Sequence, residues 1–274
     1  MLRFALLVFG LLAISMAQAQ DQRTLTVFAA SSLTDAFEAI GDAFEAANPG
    51  VTIRFNFAGS STLATQLIQG ARADVFASAD SFQMGRVMDA GLITAQTETF
   101  ASNRLVVVMP GVYPDSIESL LDLGEPGIRL VVASPGVPIR AYTDAMLDMM
   151  AEDAHFGPEY RENVQANIVS EESNVRQVLF KVLLGEADAG IVYQSDLNPD
   201  NQDHIIALPV PDSFTPEIRY PIAEPASAAA PELAASFITF VLSEAGQDIL
   251  EEHGFTRRSE DIEAAPTRCM DRNN

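Results

Sequence analysis

The pattern of apolar and polar residues near the start of the chain predicts a strand that runs directly into a helix. Residues 25–30 are mostly apolar, and Ser31 and Ser32 follow them. Beyond the serines, apolar residues recur at alternating intervals of four and three, which is the spacing of one buried helical face, at Leu33, Phe37, Ile40, Phe44 and Ala47. The two serines therefore lie between the carboxyl end of a strand and the amino end of a helix.

The same arrangement recurs shortly afterwards. Residues 51–57 alternate as a strand does, and Ser60, Ser61 and Thr62 then lead into another helical pattern. The first backbone N–H groups of a helix lack intrahelical partners, so such a junction can bind an anion without a cationic side chain. A single serine at a helix start is more often just an N-cap. Two such turns favour one shared ligand at the carboxyl edge of a parallel sheet.

Strand and helix patterns continue to alternate along the chain, which predicts an α/β protein with two mostly parallel sheets flanked by helices. A helix begins at Pro138, and another opens at Glu171 after a strand at 167–169. Tyr193 ends a strand that begins at Ala187. The last two helices, near 231–242 and 244–253, have no strands of their own block left to pack on, so we expect them to return to the first lobe. We predict lobe 1 at 20–102 and 210–255, lobe 2 at 103–209 and a disordered tail at 256–274.

The first 19 residues have the pattern of a secretory signal peptide. Arg3 precedes an apolar run, and Ala17-Gln18-Ala19 supplies the small residues of a cleavage site. Removal of this segment would leave a mature chain of roughly 255 residues that works outside the cytoplasm. The full chain has a net charge of −22, which argues against nucleic acid and anionic lipid as partners. The single cysteine, Cys269, cannot form an internal disulfide, and we interpret it as an exposed thiol without function.

Familiar catalytic and metal-binding patterns are missing from the sequence. The three histidines are far apart and form no zinc motif, and no phosphate-binding glycine loop or nucleophile elbow occurs. Asp74 and Asp80 could pair as acid and base, although solvated surface carboxylates are the favoured interpretation. No nucleophile has an adjacent base. The sequence therefore predicts a binding protein without a cofactor, and no enzyme.

Five segments together carry a resemblance to a known family. They are the serine turns at 27–34 and 58–64, the strand and turn at 73–80, the Val137-Pro138 pair and the segment 190–196. In this order they resemble the periplasmic molybdate-binding proteins of ATP-driven importers, over roughly residues 24–255. The resemblance implies a two-lobed periplasmic-binding fold of type II with two hinge crossings. It also implies a molybdate or tungstate ligand, a periplasmic location and an ABC-type membrane permease as partner. We expect a monomer.

The resemblance also implies a set of oxyanion contacts. They fall on the hydroxyls of Ser32 and Ser60, the backbone of Ile139 and Val175, and the hydroxyl of Tyr193. The metal would be held only through the oxygen atoms of the oxyanion. Three further candidates are Ser31, Ser61 and Arg140. Arg140 stands where the family usually has glycine, so it either reaches the anion or points to solvent.

Two other functions stay open at this point. The chain could be a receptor for sulfate, ferric ion or a small organic anion. A ferric site would need several converging Tyr, His or carboxylate ligands, and only Tyr193 is evident. A secreted enzyme on a related two-lobed scaffold would need a catalytic pair that the sequence does not supply.

Overall fold

The computed structural model of the chain describes residues 23–111 and 117–257. Strands and helices alternate along most of this length. The strands are β1 (Arg23–Ala30), β2 (Val51–Ala58), β3 (Val75–Ala77), β4 (Glu98–Ser102), β5 (Leu105–Pro110), β6 (Leu130–Ala133), β7 (Ile168–Glu172), β8 (Ala189–Tyr193), β9 (Ile205–Pro209) and β10 (Arg219–Ala223). The α-helices are α1 (Thr34–Ala47), α2 (Ser60–Ile68), α3 (Ser81–Asp89), α4 (Pro138–Glu152), α5 (Tyr160–Ala166), α6 (Val175–Leu183), α7 (Pro231–Leu242) and α8 (Glu244–Glu252).

The strands form two five-stranded sheets, which confirms the predicted two-lobed α/β fold. The first sheet has the order β2-β1-β3-β10-β4 and the second has the order β7-β6-β8-β5-β9. In each sheet three neighbouring strands are parallel, and the other pairings are antiparallel. We call the first sheet with α1, α2, α3, α7 and α8 the first lobe, and the second sheet with α4, α5 and α6 the second lobe. The chain passes between the sheets twice, after β4 and after β9. The predicted boundary positions themselves stay predictions.

Helix α1 shows why the apolar spacing places it against the first sheet. Phe37, Ile40 and Phe44 are buried, as predicted, while Glu38 and Asp42 are exposed on the other side. Ala47, predicted on the buried face, is exposed because it is the last residue of the helix.

The final two helices lie on the first lobe, as predicted, and complete its core. The Phe237 ring of α7 packs edge-on against the Phe37 and Phe44 rings of α1, at centroid distances of 6.0 and 5.4 Å. Burial of such aromatic side chains removes a large apolar area from water and supplies much of the stabilisation of the lobe.

Two features near the second lobe differ from the predictions. Glu171 and Glu172, predicted to open a helix, belong to β7 and pair with Val132 and Ala133 of β6. Helix α6 begins only at Val175, because the side chain of Asn174 accepts from the Gln177 N–H and caps it. Strand β4 and helix α5 were not predicted.

The chain stays paired beyond the point where the tail was predicted to begin. Thr256 exchanges two backbone hydrogen bonds of 2.9 Å with Ser102 at the end of β4. The Phe255 ring is buried and packs edge-on against Tyr220. The predicted signal peptide, Cys269 and the rest of the predicted tail lie outside the described residues. Within the described ranges, no single helix is long and apolar enough to cross a membrane. Helices α7 and α8 together meet that test of length and composition, with a 62° bend between them.

Candidate anion-binding cleft

Two serine-containing turns lie side by side at one edge of the first sheet. Strands β1 and β2 are parallel and in register, with Ala30 opposite Ala58. Ser31 and Ser32 follow β1 in a short 3₁₀ turn, and Ser60 is the first residue of α2 after β2. All three serines are buried. The predicted junctions are therefore adjacent, as parallel strands require.

The serine hydroxyls do not act as helix caps, so the simpler interpretation of these residues is wrong. Neither the 3₁₀ turn nor α2 has a side-chain cap at its start. The Ser32 Oγ lies 2.9 Å from the Tyr220 Oη. The Ser60 Oγ accepts from the Ala79 N–H at 3.0 Å. Each hydroxyl is thereby held by a residue far along the chain.

The second lobe contributes the N-termini of two helices. Pro138 is the first residue of α4, where its missing N–H costs no hydrogen bond. Ile139 is the second residue of α4, and Val175 is the first residue of α6. Their N–H groups have no intrahelical partner, because the residues four positions before them lie outside the two helices. The positive ends of two helix dipoles therefore lie at the cleft.

Tyr193 brings a hydroxyl to the same place from the end of β8. The side chain is 1% exposed, and its Oη has no hydrogen-bond partner among the described residues. Burial, with smaller contributions from Tyr220 and Tyr142, raises the pKa of the Tyr193 hydroxyl well above its ordinary value. The hydroxyl is therefore protonated at neutral pH. A buried hydroxyl without a partner is costly, which points to a ligand acceptor at this position.

These groups line one small cleft between the lobes. Its enclosed volume is about 10 Å³, far below the range of roughly 300–1,000 Å³ that is usual for organic ligands. The lining is Ala30, Ser31, Ser32, Gly59, Ser60, Ala79, Val137, Pro138, Ile139, Val175 and Tyr193. The structure thus brings together Ser31 and all five principal residues predicted for the site. The lining residues carry no charged side chain.

Ser61 and Arg140 do not line the cleft. Ser61 follows Ser60 in α2, and its carbonyl accepts from the Thr65 hydroxyl. The Arg140 guanidinium forms ion pairs with Asp144 at 3.2 Å and Glu171 at 2.5 Å. It also donates to the Ala133 carbonyl. Two carboxylates of its own lobe therefore hold Arg140.

Several contacts join the lobes around the cleft. A Cβ at Gly59 would lie 2.6 Å from the Ser173 carbonyl oxygen, so the two lobes approach here more closely than a side chain permits. The Gln83 amide donates to the Gly136 carbonyl at 2.8 Å. The Tyr142 hydroxyl donates to the Ala79 carbonyl at 3.4 Å. The structure is therefore that of a closed cleft.

The carboxylates Asp74 and Asp80 have structural roles instead of forming an acid–base pair. Both are buried, so the prediction that they lie solvated on the surface is wrong. Asp74 accepts from the N–H groups of Thr26, Ala229 and Ala230. Asp80 caps α3 by accepting from the Gln83 N–H. Among the described residues, no group of three or more His, Cys, Asp or Glu side chains could hold a metal ion.

Two residues that support the site were missed in the sequence. Tyr220 and Asn103 lie behind Ser32, in β10 and in the crossing between β4 and β5. Nothing in their local sequence marks them, because they meet Ser32 only when distant strands pair. The Ala79 N–H was also missed, although it belongs to a segment that carried the family resemblance.

Comparison with known proteins identifies the family. A family model described as "Bacterial extracellular solute-binding protein" matches residues 25–256. The chain belongs to this family. Relatives of this solute-binding protein include molybdate-binding proteins, in agreement with the resemblance seen in the sequence. It is 42% identical to the molybdate-binding protein ModA of Mycobacterium tuberculosis over 238 residues, which covers 87% of this chain and 86% of the relative. It is 35% identical to ModA of Escherichia coli over 214 residues, covering 74% and 77%.

Solved structures show that the fold is shared. The periplasmic molybdate-binding protein of Azotobacter vinelandii aligns with a TM-score of 0.73 and 19% identity, covering 85% of this chain and 99% of that one. The sulfate-binding protein SubI of Mycobacterium tuberculosis aligns with a TM-score of 0.76 and 17% identity, covering 88% and 89%. The predicted resemblance to molybdate-binding proteins and the predicted fold are both confirmed. The relatives are solute-binding proteins, not enzymes.

Proposed function

We propose that this solute-binding protein captures molybdate, and also tungstate, in the cleft between its lobes and delivers it to an ABC-type permease. The observation that carries the proposal is the buried Tyr193 hydroxyl, which lines the cleft and has no partner among the described residues. With it, the Ser32 and Ser60 hydroxyls and the N–H groups of Ile139 and Val175 form the proposed contact set. The homologous molybdate-binding proteins support the choice of anion.

Five such donors are enough for tight binding. A hydrogen bond to a charged group contributes about 1.5–3 kcal/mol, so five supply roughly 8–15 kcal/mol before the costs of ordering and association. Micromolar or tighter binding corresponds to about −8 kcal/mol or lower. The donor set also favours molybdate and tungstate over hydrogen phosphate, because these two dianions only accept hydrogen bonds. Hydrogen phosphate carries a proton that needs an acceptor, and in the proposed contact set only a hydroxyl that gave up its donor orientation could accept it.

The acidic surface does not prevent capture of a dianion. The chain has a net charge of −22, but surface charges beyond a Debye length of about 8–10 Å are largely screened. The helix N-termini act at contact distance, each equivalent to about half a positive charge. Because the contacts come from both lobes, the anion favours the closed form and shifts the population towards it. We expect the closed surface to dock on the permease of a periplasmic importer.

A thermal-shift panel tests the choice of ligand. Molybdate, tungstate, sulfate, phosphate and ferric citrate are each added to the purified chain without its first 19 residues. A ligand at 100 times its dissociation constant stabilises the folded state by about 2.7 kcal/mol. We expect clear stabilisation by molybdate and tungstate and much less by the other three. Stabilisation by sulfate or ferric citrate alone would overturn the proposal.

Delivery to a permease is tested separately in the source organism. Deletion of the gene should lower molybdate accumulation at limiting external molybdate, and excess molybdate should restore it. Unchanged accumulation at limiting molybdate would contradict the transport role while leaving the binding role intact.

A further inference from the structure

The Ser32 hydroxyl is the end of a chain of three buried polar side chains. Its Oγ lies 2.9 Å from the Tyr220 Oη. The Asn103 Nδ2 donates to the same tyrosine oxygen at 3.3 Å. Exposure of the three residues is 2%, 0% and 5% from Ser32 to Asn103. The chain of side chains therefore runs from the cleft to the first crossing between the lobes, where Asn103 lies between β4 and β5.

The neighbours of Asn103 set the direction of the hydrogen bonds. The Arg104 N–H donates to the Asn103 Oδ1 at 2.9 Å, which assigns the amide oxygen because a backbone N–H cannot accept. The amide nitrogen then donates to the Ser195 Oγ at 2.8 Å and to the Tyr220 Oη. A tyrosine oxygen that accepts from Asn103 keeps its own proton for another acceptor. Among the described residues, the acceptor within reach is the Ser32 Oγ.

We infer that Asn103 and Tyr220 are positioning residues that hold the Ser32 hydroxyl as a hydrogen-bond donor to the bound oxyanion. Asn103 donates to Tyr220, Tyr220 donates to Ser32, and the Ser32 proton is left for the cleft. This inference rests on the proposed function and names what gives that site its selectivity for anions without a proton.

The Ser60 hydroxyl is also held as a donor to the cleft, but by a backbone N–H group. The Ala79 N–H can only donate, so the Ser60 Oγ accepts from it and its proton is also left for the cleft. Burial raises the pKa of Tyr220 well above its ordinary value, so this phenol stays protonated and can donate a hydrogen bond to Ser32. Without Tyr220, the Ser32 hydroxyl could turn and accept a hydrogen bond from hydrogen phosphate.

The test compares anion affinities of a Tyr220→Phe variant. Phenylalanine keeps the ring that packs against Phe100, Tyr193 and Phe255. Calorimetric titration at neutral pH with sodium molybdate should show about tenfold weaker binding than wild type, since the Ser32 donor is no longer held in place. The ratio of molybdate to phosphate affinity should fall by a similar factor. A change in packing alone would lower affinity for both anions and leave that ratio unchanged.

Three further variants identify the route of the effect. Tyr160→Phe removes another buried tyrosine hydroxyl, one that donates to the Leu120 carbonyl away from the cleft, and should change neither affinity. In a Ser32→Ala background, Tyr220→Phe should cause almost no further loss, because the residue that it orients is gone. Asn103→Asp replaces the donor with an acceptor and should weaken molybdate binding at least as much as Tyr220→Phe.

The outcomes separate this inference from the proposed function. If the wild-type protein binds molybdate and Tyr220→Phe has the same affinity and selectivity, only the positioning role is overturned. A full tenfold loss in the Ser32→Ala background would also overturn it. Failure of the wild-type protein to bind molybdate would overturn both proposals.

Discussion

The Arg176 Nη2 of the second lobe lies 2.8 Å from the Asp35 Oδ2 of the first lobe. The same guanidinium donates to the Ser31 carbonyl at 3.3 Å, and Asn198 donates to Asp35 at 2.7 Å. Arg176 directly follows the cleft residue Val175, and Asp35 is in the first turn of α1. The cluster therefore joins the lobes beside the cleft.

Asp35→Ala should weaken molybdate binding about three- to tenfold. The variant removes the carboxylate that contacts Arg176 and Asn198 of the second lobe. Coulomb energy alone predicts the opposite sign, since the variant removes a negative charge near a bound dianion. Calorimetric titration measures the affinity, and small-angle scattering with and without molybdate measures closure. Asp148→Ala is the matched control, because its ion pair with Arg161 lies within the second lobe. Tighter binding by Asp35→Ala would show that the contacts of Asp35 with the second lobe do not favour the bound form.

Ser32→Ala and Ser60→Ala should each weaken molybdate binding by about 1.5–3 kcal/mol, the usual contribution of a hydrogen bond to a charged group. Ser61→Ala is the control, because Ser61 does not line the cleft. Titration of all three variants under the same conditions decides the matter. If Ser32→Ala and Ser60→Ala both bound molybdate with wild-type affinity, neither serine would belong to the site.

Tyr193→Phe should separate affinity from stability. Molybdate binding should weaken by about 1.5–3 kcal/mol through loss of one donor. The unfolding free energy without ligand should not fall, since the hydroxyl has no partner among the described residues. Tyr160→Phe should behave in the opposite way, with unchanged affinity and about 1 kcal/mol lower stability through loss of its bond to the Leu120 carbonyl. Urea unfolding and titration measure the two quantities. A large stability loss in Tyr193→Phe would count against a ligand-binding hydroxyl.

Gly59→Ala should block closure without damaging the fold of the first lobe. The backbone there, with φ −57° and ψ 137°, suits any residue. The added Cβ would lie 2.6 Å from the Ser173 carbonyl oxygen across the cleft. We expect unchanged thermal stability without ligand and at least tenfold weaker molybdate binding. Gly85→Ala, a helical position with open space around it, should keep affinity and gain about 0.5–1 kcal/mol in stability. Full affinity in Gly59→Ala would show that the lobes need not approach so closely.

Local sequence was sufficient for most of the regular structure. The apolar spacing of α1 and the proline before Ile139 predicted elements that the structure contains, because helical periodicity and the fixed φ of proline act over a few residues. The boundary between β7 and α6 was misplaced, since the pairing of Glu171 with β6 outweighed its helical preference. Strand β4 was missed because its pairing with β10 joins residues far apart in sequence.

The sequence by itself determined the kinds of donors, the two-lobed α/β fold and the absence of a charged ligand pattern. The resemblance to a known family could name Ser32, Ser60, Ile139, Val175 and Tyr193, because the motifs that carry it are strand ends and helix starts, which are local features. Tertiary structure alone decided that Arg140 is held by Asp144 and Glu171, and that Tyr220 and Asn103 lie behind Ser32. The physical reason is that a hydrogen bond or an ion pair depends on distance in space, which strand order and lobe closure set.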